Sequence, residues 1–237
     1  MTAALPYINN VPHVGHIVGS HLPADILARY LRARGHDVLF VGGSDESGTT
    51  SEIAARKAGL PVAEFCSRLH EVHRRIYAWF RISYDIYSRT SEPIHHETTR
   101  AFFAAVYENG YVVPDTVEQL YCENDRLFLA DRYVEGTCPH CGYEHAHGDQ
   151  CERCGKLLEQ KELIDPRCTI CGGRPVLRTS RHLFLRLDAL APRLEQWIEN
   201  ATHWRPQVRA EALGKIRAGL HKRAITRDLD WGVRVPL

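Results

Sequence analysis

The sequence predicts an α/β fold with an incomplete parallel sheet, an inserted cysteine-rich unit and helices near the C-terminus. Three observations predict it: a strand, helix, strand pattern in the first 59 residues, seven of eight cysteines within one 50-residue window, and helical periodicity over residues 188–219. The 237 residues, 44% of them hydrophobic and 25% charged, suffice for a buried core. This composition excludes a wholly disordered protein.

The first 59 residues have the pattern of a βαβ crossover. Apolar Ala3–Leu5 precede a turn-rich loop, and apolar residues then recur at helical spacing over 17–30, with Gly35 just past the helix end. The apolar run Val38–Val41 is predicted to be the second strand, followed by a loop over 42–48. Such strands should be parallel, with ligand-binding loops at their carboxyl ends.

Helical patterns continue to residue 111, where Pro61 starts one helix and Gly110 closes another. Short strand-like pieces with cysteine pairs and glycines then extend to about residue 187, before the chain returns to helical periodicity. We therefore predict three units, with the cysteine-rich unit inserted into the α/β domain: 1–114, 115–187 and 188–237.

Two cysteine pairs have the spacing of a metal site. Cys138 and Cys141 form one C-x-x-C pair, and Cys151 and Cys154 form the next. Each pair places two thiolates on a tight knuckle, and two knuckles complete the tetrahedron that zinc prefers. A four-sulfur shell leaves no open position for water, so a zinc ion here should be structural. The alternative is a set of free thiols or a redox pair.

A second metal site is predicted from Cys122, Asp125, Cys168 and Cys171. The pair Cys168 and Cys171 needs a partner, and Cys122 to Asp125 has the same frame with a carboxylate in the last place. In the alternative, Asp125 caps a turn and the thiols stay free. The histidines of this region are expected to be solvated, and Cys66 to be a small buried side chain; the histidines are His140, His145 and His147.

The loop before the first helix carries His13, Gly15 and His16. A glycine-containing loop that enters a helix offers free amides and the positive end of the helix dipole to an anion. The two imidazoles could donate hydrogen bonds to a phosphate, and Gly15 could leave room for a flat base. The alternative is that both histidines are ordinary polar surface.

Charge and hydrophobicity indicate where the protein is located and which kinds of partner it can bind. No apolar run approaches the roughly 20 residues of a membrane span, and the N-terminus lacks the pattern of a secretory signal. We therefore expect a cytoplasmic protein without a membrane partner. The net charge is +1, so nucleic acid would need a local basic patch. Eight Lys and Arg residues against three acidic residues after position 200 form such a patch, or else a solvated helix face.

Several motifs, in the same order, resemble those of the methionyl-tRNA synthetases, a family of class I aminoacyl-tRNA synthetases. The signature runs from Ala4-Leu5-Pro6-Tyr7 to His13-Val14-Gly15-His16. Beside the zinc knuckles, the other motifs are Arg34–His36, Ser44–Thr49, Phe128–Arg132 and Ile225–Gly232. The resemblance covers residues 2–237 and implies a Rossmann-like catalytic domain whose connective-peptide insertion binds one or two zinc ions.

The resemblance implies a two-step reaction on methionine, ATP with Mg²⁺, and tRNA. In it, His13 and His16 stabilise the α-phosphate, Gly15 lies beneath the adenine and Asn9 assists at the nucleotide. The residues of the methionine pocket are Leu5, Tyr7 and Asp45. An aspartate suits the ammonium group of the substrate; its alternative role is to cap a turn.

In the family, a full strand precedes Thr2, and a lysine-bearing loop with the other half of the sheet follows the region matched here. We therefore expect this chain alone, without a second half supplied by a further chain, to activate methionine weakly or not at all. Two other functions stay open: a shortened paralogue that adenylates an amino acid for an acceptor other than tRNA, and a non-catalytic zinc- and RNA-binding module.

Overall fold

A short parallel sheet organises the N-terminal part of the chain in the computed structural model, which describes residues 1–129 and 131–237. Strand β1 (Val41–Ser44) pairs in parallel with strand β2 (Ile86–Arg89). The N-terminal segment joins the other side of β1 through parallel bridges from Thr2 to Val41 and from Tyr7 to Asp45. The predicted parallel strand, helix, strand unit is therefore present.

The second strand lies further along the chain than we predicted from apolarity. Residues 38–40 form no strand, and the glycines assigned to a loop, Gly42 and Gly43, are strand residues. The reason is close packing: a Cβ atom would lie 2.4 Å from the Tyr84 ring at Gly42 and 2.9 Å from the Ser88 carbonyl oxygen at Gly43. These positions admit only a residue without a side chain, so the strand has no apolar pattern to reveal it.

This packing predicts that Gly42→Ala lowers the free energy of unfolding by about 1–3 kcal/mol, because the new methyl group must displace the half-buried Tyr84 ring. Urea denaturation measures the loss. The matched control is Gly214→Ala, within a helix and with open space around its Cβ position, where a gain of up to about 1 kcal/mol is expected. Equal denaturation midpoints for both variants would contradict the packing argument.

The first helix, α1, changes its winding near its start. It is α-helical over Val14–His16, π-helical over Ile17–His21 and α-helical over Leu22–Ala33. His21, in the wide turn, is buried between two tyrosines: its Nδ1 lies 2.6 Å from the Tyr84 hydroxyl and its Nε2 3.0 Å from the Tyr77 hydroxyl. Burial lowers the pKa of His21 to about 4, so the ring is neutral at neutral pH.

Three more helices belong to the N-terminal part of the chain. They are α2 (Thr49–Lys57), α3 (Val62–Trp79) and α4 (Pro93–Glu108). As predicted, α3 begins directly after Pro61 and α4 ends before Gly110, which has a φ of 77°. Of the three, α3 packs against α1 and the sheet, around a core of Ala3, Ile17, Ala28, Phe40, Tyr77 and Ile82, whereas Ile53 of α2 packs against the core of the cysteine-rich region.

The cysteine-rich region forms two antiparallel sheets around a core of its own. In one sheet the order is β4-β3-β8-β9, with β3 (Val112–Cys122), β4 (Leu127–Phe128), β8 (Val176–Leu185) and β9 (Arg223–Ala224). In the other the order is β6-β5-β7, with β5 (Val134–Thr137), β6 (Ala146–His147) and β7 (Ile164–Cys168). Short 3-10 helices lie at Asp131–Tyr133 and Gln160–Glu162. The unit boundaries at 115 and 187 stay a prediction, and Ala130, in the Phe128–Arg132 motif, lies outside the described residues.

Two helices follow the insertion, α5 (Leu187–Asn200) and α6 (Pro206–Arg217), in agreement with the periodicity. The last residues then return to the first domain, where the Trp231 amide donates to Glu52 Oε1 at 3.2 Å. The other Glu52 oxygen accepts from the Tyr133 hydroxyl at 3.0 Å, so one side chain of α2 contacts both the insertion and the C-terminal segment. Among the described helices, none combines the length and apolarity needed to cross a membrane.

Candidate functional site

His13 and His16 cap the start of α1 reciprocally. The Gly15 amide donates to His13 Nδ1 at 3.1 Å, and the His13 amide donates to His16 Nδ1 at 3.2 Å. An Nδ1 atom that accepts leaves the proton of a neutral imidazole on Nε2. Each ring therefore offers one Nε2–H donor beside the positive end of the helix dipole, and no described residue accepts from either one.

The two rings lie close together at the surface. Their centroids are 4.0 Å apart; His13 is exposed and His16 half-buried. Burial, and then the neighbouring His13, lower the pKa of His16, so His16 is neutral at neutral pH. A Cβ at Gly15 would lie 2.8 Å from His13 Cε1, so a side chain there would push the ring out of its capping position.

A buried histidine of α3, His73, contacts the loop that precedes α1. His73 Nε2 lies 2.8 Å from the Asn10 carbonyl oxygen, and the Asn10 side chain accepts from the Val11 amide at 2.8 Å. Burial lowers the pKa of His73, although its contact with Asn10 opposes the shift. The neutral ring thus donates to the loop that leads to His13, while Asn9 is exposed.

Asp45 follows β1 and lines a cleft of about 890 Å³ together with Tyr7. Its backbone is fixed on both sides, since its amide donates to the Pro6 carbonyl and its carbonyl accepts from the Ile8 amide, both at 2.9 Å. One carboxylate oxygen accepts from the Ser47 amide at 3.1 Å, so Asp45 does cap a turn. The other oxygen accepts no hydrogen bond from a described residue.

Burial raises the pKa of Asp45, against the opposing effects of the Ser47 amide and of His95. The half-buried carboxylate is therefore less well solvated than a surface one, and a cation that contacts it would restore part of the lost stabilisation.

The predicted site residues occupy neighbouring places rather than one cavity. Tyr7 and Asp45 line the large cleft, whereas Leu5 lines a separate cavity of about 270 Å³ beside Gly42 and Gly43. The capping residues of α1 and the exposed Asn9 line neither of the two cavities. The imidazole donors and the carboxylate therefore lie on two adjacent loops, one before α1 and one after β1. The Ile8 amide connects these loops by donating to the Asp45 carbonyl.

From the sequence we assigned the C-terminal segment no part in a substrate site, yet it forms a wall of the cleft. Residues 224–227 and 229–236 line it, and the Trp231 indole N–H donates to the Glu46 carbonyl at 2.6 Å. The motif Ile225–Gly232 was the available signal. Arg227 and Arg234 also line the cleft, whereas other basic residues of this region pair within the chain, namely Arg209, Lys215, Arg217 and Lys222.

The first cysteine cluster has the dimensions of a four-sulfur metal centre. Tetrahedral zinc with Zn–S distances of about 2.3 Å separates its sulfurs by about 3.8 Å. The Sγ atoms of Cys138 and Cys154 are 4.0 Å apart, those of Cys141 and Cys151 are 3.6 Å apart, and all four lie within 4.8 Å of one another. This donor set could hold a metal ion.

The thiols of this cluster differ in how easily they lose a proton. Burial opposes ionisation of Cys151, yet backbone amides and neighbouring thiols lower its pKa to about 7. An amide of Tyr143 favours the Cys141 thiolate, but burial and the surrounding thiols raise its pKa to about 12. One charge is thus stabilised by its neighbours, and a cation would be needed to hold further thiolates together.

The second cluster joins Cys122, Asp125, Cys168 and Cys171, as the spacing predicts. Asp125 Oδ2 lies 3.1 Å from Cys122 Sγ and 3.2 Å from Cys168 Sγ, and the Sγ atoms of Cys122 and Cys171 are 3.4 Å apart. Hydrogen bonds from the thiols, first of all Cys171, lower the pKa of Asp125. These four groups could hold a second metal ion.

The knuckles share one backbone turn. The residue after each C-x-x-C pair has a φ near +70°, at Gly142, Gly155 and Gly172. The matching residue after Asp125 is Arg126, and its φ is 54° although it carries a side chain. Cys122 to Asp125 therefore has the turn of a knuckle. Both clusters are free of histidine, and Cys66 is buried away from them.

Comparison with known proteins gives one consistent family. The sequence model described as tRNA synthetases class I (M) matches residues 1–237. Over the full chain the sequence is 50% identical to methionine–tRNA ligase 1 of Acaryochloris marina and 49% identical to the cytoplasmic methionine–tRNA ligase of Mus musculus. The chain spans 42% and 27% of the lengths of these relatives.

The structural match covers the same extent. Methionyl-tRNA synthetase of Mycobacterium tuberculosis, solved with methionyl-adenylate bound, superposes with a TM-score of 0.74 at 26% identity, over 99% of this chain and 42% of that one. Together with the parallel sheet, this match confirms the predicted α/β class with a Rossmann-like sheet.

Proposed function

The chain belongs to the class I tRNA synthetase (M) family, and from this premise we propose that it is the part of a methionine–tRNA ligase that binds ATP and methionine while methionyl-adenylate forms. The observation that carries the proposal is the pair of Nε2–H donors at the start of α1, next to the loop that presents the Asp45 carboxylate. Donors that suit a phosphate and a carboxylate that suits an ammonium group thus lie on adjacent loops, which supports the proposal.

In the proposed reaction, a carboxylate oxygen of methionine forms a bond to the α-phosphorus of ATP. The bond from that phosphorus to the bridging oxygen breaks, and its electron pair leaves with pyrophosphate. His13 and His16 donate to the α-phosphate oxygens, whose charge grows in the transition state. Because both donors are positioned by their capping hydrogen bonds, little reorganisation is needed as that charge develops.

The substrates are held by the neighbouring loops. Asp45 accepts from the methionine ammonium group, while Tyr7 and Leu5 contact the rest of the amino acid. Gly15 lies beneath the adenine, Asn9 assists at the nucleotide, and Mg²⁺ enters with the phosphates of ATP. Since the pKa of Asp45 is raised, methionine binding should weaken as the pH falls through it, because the protonated acid no longer attracts the ammonium group.

The activated methionyl group is then transferred to the terminal adenosine of tRNA. We place this reaction in the cytoplasm, because the Mus musculus relative is named as a cytoplasmic ligase. We also propose that each of the two clusters holds a structural zinc ion. Zinc would link the knuckles of the insertion, at sites whose four protein donors leave no position for water. We also propose that the insertion spans residues 115–187. A second chain that supplies the other half of the catalytic site belongs to the same proposal.

The test is a chimaera in which this chain replaces the matching 237-residue segment of the Acaryochloris marina ligase. We expect methionine-dependent ATP–pyrophosphate exchange and charging of tRNA. Asp45→Asn should raise the KM for methionine about 10- to 100-fold, because hydrogen bonds to charged groups contribute about 1.5–3 kcal/mol. The matched control is Asp37→Asn, an exposed aspartate in front of β1.

Each other outcome favours a different function. Exchange that depends on another amino acid would favour the paralogue. RNA binding without exchange, unchanged when both histidines are replaced, would favour the zinc- and RNA-binding module.

A further inference from the structure

Glu46, next to Asp45, is the most deeply buried acidic side chain near the cleft, with 0% of its surface exposed. Arg89, at the end of β2, contacts both of its carboxylate oxygens: Nη2 donates to Oε2 at 2.9 Å, and Nε lies 2.8 Å from Oε1 without the alignment of a hydrogen bond. The Ser44 hydroxyl donates to Oε1 at 3.2 Å. The guanidinium thus faces both carboxylate oxygens of an enclosed ion pair, and its planar shape limits the orientations that the pair can adopt.

The main chain of Glu46 is held as firmly as its side chain. Its amide donates to the Thr90 hydroxyl at 2.9 Å, and its carbonyl accepts the Trp231 indole N–H at 2.6 Å. Arg89 Nη2 also donates to the Ser67 hydroxyl of α3 at 3.0 Å. Glu46 and its partner therefore join the loop after β1, the end of β2, helix α3 and the C-terminal segment.

Stability alone does not account for this arrangement. Removing two charges from water is costly, and a buried ion pair is often no more stabilising than apolar residues of similar volume. The pair does fix positions: it holds the backbone next to Asp45, and the carbonyl of that backbone holds the Trp231 indole. Both Asp45 and Trp231 line the cleft.

We infer that Glu46 and Arg89 are positioning residues that set the distance between Asp45 and Trp231, and thereby the fit of the amino-acid substrate. The identity of that substrate rests on the proposed function; the positioning itself does not. The fork of Arg89 is the sensitive part, because lysine keeps the positive charge but contacts a carboxylate at one point only.

The first test follows the Trp231 indole N–H in the 237-residue chain by ¹H–¹⁵N spectra, with Trp231→Phe to identify its resonance. In Arg89→Lys we expect hydrogen exchange at this indole to accelerate at least ~10-fold, while the Trp197 indole is unchanged. The double variant Glu46→Gln/Arg89→Met removes both charges and should give the same result if Arg89→Lys does not fold. The control is Arg217→Lys, in an exposed ion pair with Glu195. Unchanged exchange at Trp231 in a folded variant would overturn the inference.

The second test measures kinetics in the chimaera. Arg89→Lys should raise the KM for methionine about 10-fold and leave the KM for ATP within about twofold, whereas a general loss of folded protein would lower the rate at all substrate concentrations. An equal rise in both KM values would overturn the substrate-specific role. If the unsubstituted chimaera is inactive, the proposed function fails, and the indole exchange still decides the positioning.

Discussion

Replacing His13 with asparagine or His16 with glutamine should reduce methionine-dependent pyrophosphate exchange by about 10²- to 10³-fold, the usual cost of removing one donor from a developing negative charge. Each change removes the imidazole but keeps a cap through the side-chain oxygen, because asparagine is a good N-cap residue and glutamine is accepted at the third helical position. The amide N–H that replaces the imidazole donor is not fixed in the Nε2 position by a rigid ring. The thermal midpoint Tm should therefore stay within about 2 °C. Exchange assays and thermal unfolding of the chimaera measure the two effects.

Alanine at the same positions provides the comparison. His13→Ala removes both the cap and the donor, so it should lose activity to the same extent and also about 0.5–2 kcal/mol of stability. If His13→Asn and His16→Gln retain full exchange, the imidazoles serve only as caps, and the phosphate role is wrong. If the asparagine and alanine variants lose activity only in proportion to their stability, the same conclusion follows.

Removal of metal should unfold the cysteine-rich insertion. We expect two zinc ions per chain as purified, measured by mass spectrometry of the elements. A strong chelator should abolish amide protection in β5, β6 and β7, because zinc contributes about 10–16 kcal/mol in small zinc-dependent peptides. The parallel sheet of β1 and β2 contains no ligand and should keep its protection. Retention of the insertion's protection in metal-free protein would contradict the proposal.

Single substitutions separate the two clusters. Cys151→Ala should leave one zinc ion per chain, and Asp125→Ala should weaken the other site, whereas Asp125→Cys should retain it because a thiolate is a good zinc ligand. Cys66→Ala is the matched control, since Cys66 is a buried thiol outside both clusters. One zinc ion in the unsubstituted chain, unaffected by Asp125→Ala, would show that the second site is absent.

Local features of the fold were predictable, because the information lies within a few residues. Gly35 ends α1, with a φ of 82°, and the C-x-x-C spacing brings four donors together in each cluster. The position of β1 was not predictable, since Gly42 and Gly43 have their strand role only through Tyr84 and Ser88 of a neighbouring segment.

The candidate site divides in the same way. The capping pair of His13 and His16 lies within four residues and was visible as a motif, whereas the ion pair of Glu46 and Arg89 depends on the register of β1 with β2. Burial also could not be read from the chain: Glu46 has the residue type of a surface side chain, yet it is completely enclosed.

The hydrogen bond from Trp231 to Glu46 joins residues 185 positions apart, with the whole insertion between them. Contacts of such separation form late, because the intervening chain must first be ordered. During synthesis on the ribosome, therefore, the cleft beside the N-terminal sheet would lack the wall formed by the C-terminal segment until the insertion had bound its zinc ions and folded. We expect the supply of zinc in the cell to limit the rate at which newly made molecules mature, even though neither zinc ion is proposed to take part in the reaction.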